Sequence, residues 1–324
     1  WVLLALAALP WTLLGWVNTH PVGRRALASY GLLGAVVLLG ELGVRQTALD
    51  TVWTRTSGWR RASEEFAELL EIRRYRSYPL DGFPVQPPAP SDKQRIVAMG
   101  GSSTGGAFQM DDLSLFWPRR LEELLPIDTW EVVNQGVGGW NTLHVRLYLE
   151  SQIERLAPDL VVLYVGHNDV LSAAPVPYRE LYARYRSGSS AAKAVSSTLH
   201  NVRLYVGLKY ALLALRDRTG AVAVPTDDAR ENLTAVLDVA DAHGAKVVLV
   251  TEGLNPDPVP LRDYAAMQRS LAKARGHYYF DAAEALHREA DTTLFLDDCH
   301  LSEGGHRRLA ALLHAYLREA GLVP

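Results

Sequence analysis

Leu160-Val161-Val162-Leu163-Tyr164-Val165 is an unbroken apolar run rich in β-branched residues. A strand with one wet face alternates apolar and polar positions, so a continuous run fits a strand covered on both faces. Four further runs have the same character: Ile96 to Met99, Trp130 to Val133, Lys246 to Thr251 and His277 to Phe280. Helix-like stretches separate or flank them, at Trp117 to Leu125, Thr142 to Leu156, Asp228 to His243, Tyr264 to Arg275 and Ser302 to Ala320. The alternation predicts a parallel sheet with helical crossovers on both faces. Ligands of such sheets collect beyond the carboxyl ends of the strands.

At 324 residues, 48% of them hydrophobic, the chain has room for one sizeable domain plus attachments. Its net charge is −3 and its densest basic spots are pairs such as Arg60-Arg61 and Arg73-Arg74, which gives no electrostatic footprint for nucleic acid. Cys299 is the single cysteine, so an intrachain disulfide or a multi-thiolate metal site is excluded. No phosphate-cradling glycine loop ends in Lys-Ser or Lys-Thr, and no histidine pair has zinc spacing. Chemistry without cofactor or metal is expected.

Two apolar stretches, Trp1 to Val17 and Ala26 to Gly40, flank the polar break Asn18-Thr19-His20-Pro21. Each is somewhat shorter than the roughly 20 residues that span a bilayer, and the first opens at Trp1 as a truncated helix would. Residues 1–44 are therefore expected to be a membrane-anchor region; the alternative is a cleaved signal sequence followed by a buried helix. Arg24-Arg25 in the connecting loop place the rest of the chain outside, whereas Arg45, Arg55, Arg60 and Arg61 argue the opposite; the expectation is extracytoplasmic. Residues 45–91 read as an amphipathic helix over Ala62 to Arg76, built on Phe66, Leu69, Leu70, Ile72 and Tyr75, and then a proline-rich link. The main domain is expected over 92–324. A helical insertion at about 170–226 carries Tyr178, Tyr182, Tyr185, Tyr205 and Tyr210 and an apolar stretch from Val202 to Leu215.

Four short blocks fall where a parallel sheet puts its site. Gly100-Gly101-Ser102-Ser103-Thr104 follows the first strand, so Ser102 sits at a strand-to-helix turn. Asn134-Gln135-Gly136-Val137-Gly138-Gly139 follows the second, where glycines let backbone N–H groups approach a ligand. Gly166-His167-Asn168-Asp169 follows the third; its asparagine amide can donate to a developing negative oxygen, although an Asn-Asp pair alone usually makes a turn. Asp297-Asp298-Cys299-His300 precedes the last helix, for which Ser302 is a plausible N-cap. An unassisted hydroxyl is a poor nucleophile, and a histidine backed by an aspartate is what activates it. A serine esterase is the reading these residues support.

Together, in this order, the blocks resemble those of the SGNH hydrolases, the GDSL-type esterase/lipase superfamily, over about residues 93 to 322. The resemblance implies Ser102 as nucleophile, His300 as base and Asp297 as its orienting partner, with an oxyanion hole made by Ser102, Gly139 and Asn168. It implies a three-layer α/β/α sandwich with a mostly parallel five-stranded flavodoxin-like sheet, here preceded by N-terminal membrane helices. Gly101 stands where many members have Asp, a change expected to affect turn geometry more than chemistry. His167 is read as a packing residue, Asp298 and Cys299 have no assigned role, and His306 and His314 are expected at the surface of the last helix.

A rival register exists, because Gly101-Ser102-Ser103-Thr104-Gly105 also fits the Gly-x-Ser-x-Gly elbow with Ser103 as nucleophile. That elbow normally follows several strands, and it leaves Gly139 and Asn168 unexplained. The expected substrate is an acetyl or short acyl ester of a carbohydrate, or a lipid ester, with no cofactor and no nucleic-acid partner. The rivals are an O-acyltransferase passing the acyl group to a cell-envelope glycan and a catalytically silent domain that binds glycan or a partner protein.

Overall fold

The computed structural model describes Gly31 and residues 34–43, 88–89, 91–105, 113–170, 177–187, 222–254 and 259–324. The chain divides into two units, Trp1–Ser57 with Ala194–Leu212, and Gly58–Lys193 with Leu213–Pro324. Of the first, residues 34–43 are helical and expose Val36, Leu38 and Leu39. The stretch Trp1 to Val17, most of residues 26–33, the amphipathic segment 62–76 and Val202 to Leu215 lie outside the described residues. Among the described residues no helix is long and apolar enough to cross a membrane.

The second unit is built on five strands: β1 (Gln94–Gly100), β2 (Trp130–Asn134), β3 (Leu160–Val165), β4 (Lys246–Thr251) and β5 (Tyr278–Phe280). Every pairing is parallel and the order is β2-β1-β3-β4-β5. The predicted runs lie within these strands except that β5 begins one residue after His277.

The helices are α1 (Ser102–Gly105), α2 (Trp117–Glu122), α3 (Thr142–Leu156), α4 (His167–Val170), α5 (Tyr178–Ser187), α6 (Thr226–Ala242), α7 (Val259–Arg275), α8 (Ala282–His287) and α9 (Glu303–Glu319). Successive side chains of a strand point to opposite faces. Val97, Met99, Val161, Leu163, Val247 and Leu249 meet α3, α6 and α7 on one face. Ile96, Ala98, Val162, Tyr164, Val248 and Val250 meet Trp117, Leu121, Leu286, Leu309 and Leu313 of α2, α8 and α9 on the other. Two buried faces explain why β3 carries no polar position.

The sequence expected the α7 helix from Tyr264; it begins five residues earlier, at Val259, because Leu261 is a core residue of the same apolar face. Conversely α2 stops at Glu122, short of Leu125, where the chain passes through turns before Pro126. Tyr178–Ser187 supplies one helix of the anticipated insertion.

Strand order reverses between β1 and β3, and a crevice opens at the carboxyl ends of two strands whose connections leave in opposite directions. Gly100 pairs with Tyr164 at the ends of these strands. The register therefore puts the turn after β1, carrying Ser102, beside the turn after β3, carrying Asn168.

Candidate active site

Ser102 opens the short α1 turn, in which Thr104 N and Gly105 N donate to Gly101 O at 3.1 and 3.0 Å. Its Oγ lies 2.9 Å from His300 Nε2. His300 Nδ1 in turn lies 2.8 Å from Asp297 Oδ2 and 3.0 Å from Oδ1. Asp297 also fixes its own loop, since Oδ1 accepts from the backbone N–H of Cys299 at 2.9 Å and of His300 at 2.8 Å. A bridge between Phe295 and Leu301 closes the base of that loop, and Ser302 caps α9 by accepting from Gly305 N. Ser102 is thus joined, across 198 residues of sequence, to His300 and through it to Asp297.

Ser103 is buried, and its hydroxyl donates to Cys299 O at 3.0 Å. It fastens the His300 loop to the turn that carries Ser102, which is a different task from the nucleophile role of the rival register. Thr104 is also buried and its Oγ1 accepts from Trp117 Nε1 at 3.4 Å.

Asn168 Nδ2 donates to Trp140 O at 3.0 Å, leaving its second amide proton for another acceptor. A Cβ on Gly101 would lie 2.4 Å from that Nδ2 and 3.3 Å from Trp140 O. The absence of a side chain at Gly101 is what lets the Asn168 amide come against the turn carrying Ser102. A side chain at Gly101 would therefore meet Asn168 as well as alter the turn. Gly139 immediately precedes Trp140 and has φ of 82°, a left-handed conformation that favours glycine. Asn134 holds the same stretch, accepting from Gly136 N at 3.0 Å and donating to Thr104 O at 2.7 Å.

Three buried groups that the sequence reading passed over brace this region. Asp169 is fully buried and accepts from Thr142 Oγ1 at 2.5 Å and from Thr142 N at 3.3 Å. Burial pushes its carboxyl up to about 7, against the opposing pull of the Thr142 bonds. Glu252, beyond β4, accepts from His167 N at 2.6 Å, and burial, opposed by that bond and reinforced by the Asp169 charge, pushes its carboxyl up to about 8. Asp169 stood in the third block but read as a turn residue. Thr142 and Glu252 carried no local signal, because their partners lie 27 and 85 residues away.

Among the described residues, three further histidines named in the sequence analysis lie away from open solvent. The His167 ring is driven down to about 4 chiefly by burial, then by neighbouring His300, and its Nδ1 has no partner among the described residues. His306, expected at the surface, is buried against Phe116, with a ring separation of 4.5 Å, and its pKa falls to about 3 through burial and then His300. The α9 face that carries it packs on α2 through the same side as Leu309 and Leu313. His314, also expected at the surface, is half-buried.

Asp297, Cys299 and His300 offer atoms within 4.8 Å of one another that could ligate a metal. The Cys299 sulfur, however, lies 3.4 Å from His300 Nδ1 and 3.9 Å from Nε2. Both nitrogens of that ring already face other partners, Nδ1 the Asp297 carboxylate and Nε2 the Ser102 hydroxyl. Burial and then the charges of Asp297 and Glu252 raise the thiol well above its usual range, so it behaves as an uncharged packing group.

A parallel α/β sheet with a serine, a histidine and an aspartate linked at its carboxyl edge defines the scaffold of a carboxylic ester hydrolase. The chain belongs to the GDSL-like lipase/acylhydrolase family, whose profile matches residues 98–308. Among solved structures it is similar to the acetyl xylan esterase AlAXEase, at 18% identity and a TM-score of 0.47, covering 69% of this chain and 99% of that one. It is similar to TesA at 18% identity and a TM-score of 0.48, covering 70% and 99%. A catalytic mutant of Axe2, an acetylxylan esterase from Geobacillus stearothermophilus, is 17% identical with a TM-score of 0.47, covering 72% and 97%. No curated protein sequence matches the chain.

Proposed function

We propose that the protein hydrolyses an acetyl or short acyl ester of a carbohydrate or lipid through an acyl-enzyme on Ser102. The observation that carries this reading is the continuous Ser102–His300–Asp297 hydrogen-bond chain, at 2.9 and 2.8 Å. His300 Nε2 takes the Ser102 proton as Oγ attacks the ester carbonyl, and Asp297 holds the other ring nitrogen protonated and stabilises the imidazolium. The Ser102 and Gly139 N–H groups and the Asn168 amide receive the negative oxygen of the tetrahedral intermediate. His300 then returns the proton to the leaving alcohol. Water, activated by the same nitrogen, attacks the acyl-enzyme and releases the acid and free Ser102.

The apolar stretches Trp1 to Val17 and Ala26 to Gly40 support attachment to a membrane, and Arg24-Arg25 between them support the hydrolase on the extracytoplasmic side, against the opposing charges of Arg45, Arg55, Arg60 and Arg61. Carbonate-resistant sedimentation of the full chain, together with protease access to its hydrolase domain from the outside of intact cells, is the expected result. Release by carbonate would remove the anchor, and protection of the domain would reverse the orientation.

Turnover of p-nitrophenyl esters from acetate to palmitate, compared with Ser102→Ala, tests the chemistry. Activity at the short end that disappears in Ser102→Ala is expected, whereas equal activity in both proteins would refute the nucleophile. Products formed with a sugar acceptor separate hydrolysis from transfer: free acid is expected, and an acyl sugar would replace the hydrolase reading with an O-acyltransferase.

A further inference from the structure

We infer that Asp169 is a positioning residue: through Thr142 it locks Asn168 and the loop carrying Gly139 into one rigid oxyanion hole. This rests on the proposed Ser102 chemistry and adds to it the element that holds the hole in shape.

Two consecutive residues of the turn after β3 each tie to the loop that leads into α3. Asn168 Nδ2 donates to Trp140 O at 3.0 Å, and the Asp169 carboxyl takes the Thr142 hydroxyl and N–H. One bond alone leaves a hinge, whereas two bonds two residues apart on the same loop fix its angle. Gly139 lies directly before the first of these anchor points, so its N–H direction follows from them.

The anchor itself is immobilised from three sides. Thr142 Oγ1 accepts from Asn232 Nδ2 at 3.3 Å, and Asn232 Oδ1 accepts from Arg146 at 3.4 Å. Asn141 caps α3 by accepting from Leu143 N and His144 N. Asp169 N donates to Gly166 O at 3.1 Å, and Asp169 O accepts from Val224 N at 2.9 Å. Asp169 is 0% exposed, so no water competes for its oxygens, and among the described residues its carboxylate is met only by the donors of Thr142. An amide at this position can keep an accepting oxygen at Oδ1, where the Thr142 hydroxyl donates, but it sets an NH₂ at Oδ2 against the Thr142 N–H, which weakens the lock without changing side-chain size.

The test uses the full chain with p-nitrophenyl acetate turnover and the rate at which a p-nitrophenyl phosphonate labels Ser102, since phosphonylation also builds negative charge in the hole. Asp169→Asn and Thr142→Val should each lower kcat and the labelling rate together by about tenfold or more while KM stays within about twofold, the signature of lost transition-state contacts. Thr142→Ser keeps both donors and should retain wild-type rates. In an Asn168→Ala background the loss from Asp169→Asn should shrink, because half of what it positions is gone.

Thr142→Val at wild-type kcat, a loss confined to KM, or Thr142→Ser as impaired as Thr142→Val would overturn the inference while leaving the Ser102 chemistry standing. Should Asp169→Asn not fold, the Thr142 pair decides. A wild-type chain that neither cleaves the ester nor takes the phosphonate would overturn the Ser102 reading and this inference with it.

Discussion

Two loops flank the turn that carries Ser102, and they are held in opposite ways. The loop Asp297–His300 braces itself: one carboxylate accepts from two backbone N–H groups within three residues and orients the ring at its end. The turn His167–Asp169 is braced from afar, by Glu252, Trp140 and Thr142. The Asp297 side chain remains 36% exposed, whereas Asp169 has no exposure at all. On the proposed chemistry the first acts on charge and the second on position, although both are aspartates bonded to N–H and side-chain donors.

The same substitution at both places should separate these tasks most widely. Asp297→Asn, which spoils the tautomer of His300, is expected to lower kcat by about 10⁴-fold with the fold intact, far beyond the effect at Asp169. Steady-state kinetics beside circular dichroism measures it, and equal losses at the two aspartates would erase the distinction. Asn168→Ala should cost about 10²- to 10³-fold in kcat, as loss of a donor to an oxyanion does. If kcat is unchanged, the amide donates to nothing that matters in the reaction.

Gly101→Ala places a methyl group where the Asn168 amide now sits, and a displacement of that size should lower kcat by about 10²-fold. Its partial rescue by the shorter Asn168→Ser would tie the loss to that contact. Ser103→Ala removes the bond to Cys299 O and should lower stability by about 1 kcal/mol in chemical denaturation, with kcat reduced only a few-fold. Complete loss of activity would instead restore Ser103 as the nucleophile.

The smallest expected effect is a change of slope. Unfolded Glu252 titrates near 4.5, whereas in the fold its carboxyl is pushed up to about 8 by burial. Between these values the folded state holds a proton that the unfolded state has lost, so this residue makes stability fall as pH rises. Glu252→Gln should flatten the decline of Tm between about pH 5 and 8, and an unchanged slope would show that Glu252 is already ionised in the fold.

What could be read from the sequence follows the same division between near and far. The run Leu160 to Val165 announced a strand buried on both faces because covering is written into every residue of it, and Asp297-x-x-His300 was visible because its bonds close within one turn. Thr142 and Glu252 were silent, since a threonine at a helix start and a glutamate after a strand look the same whether or not a buried partner awaits them. His306 misled for a related reason. A histidine among arginines reads as surface, but on a helix its neighbours in space are Leu309 and Leu313, one turn or two away. Asp169 was seen and undervalued, because a local turn explained it well enough.

The bond from Val224 N to Asp169 O brings the chain back, after more than fifty residues, to the turn by which it left the sheet. Tyr178, buried in the core, ties the first helix of this excursion to this neck through its N–H bond to Ala223 O. Closing a loop costs only about 0.6 kcal/mol more for each doubling of its length, so designed changes of length between Ser187 and Ala223 would load the neck only slightly.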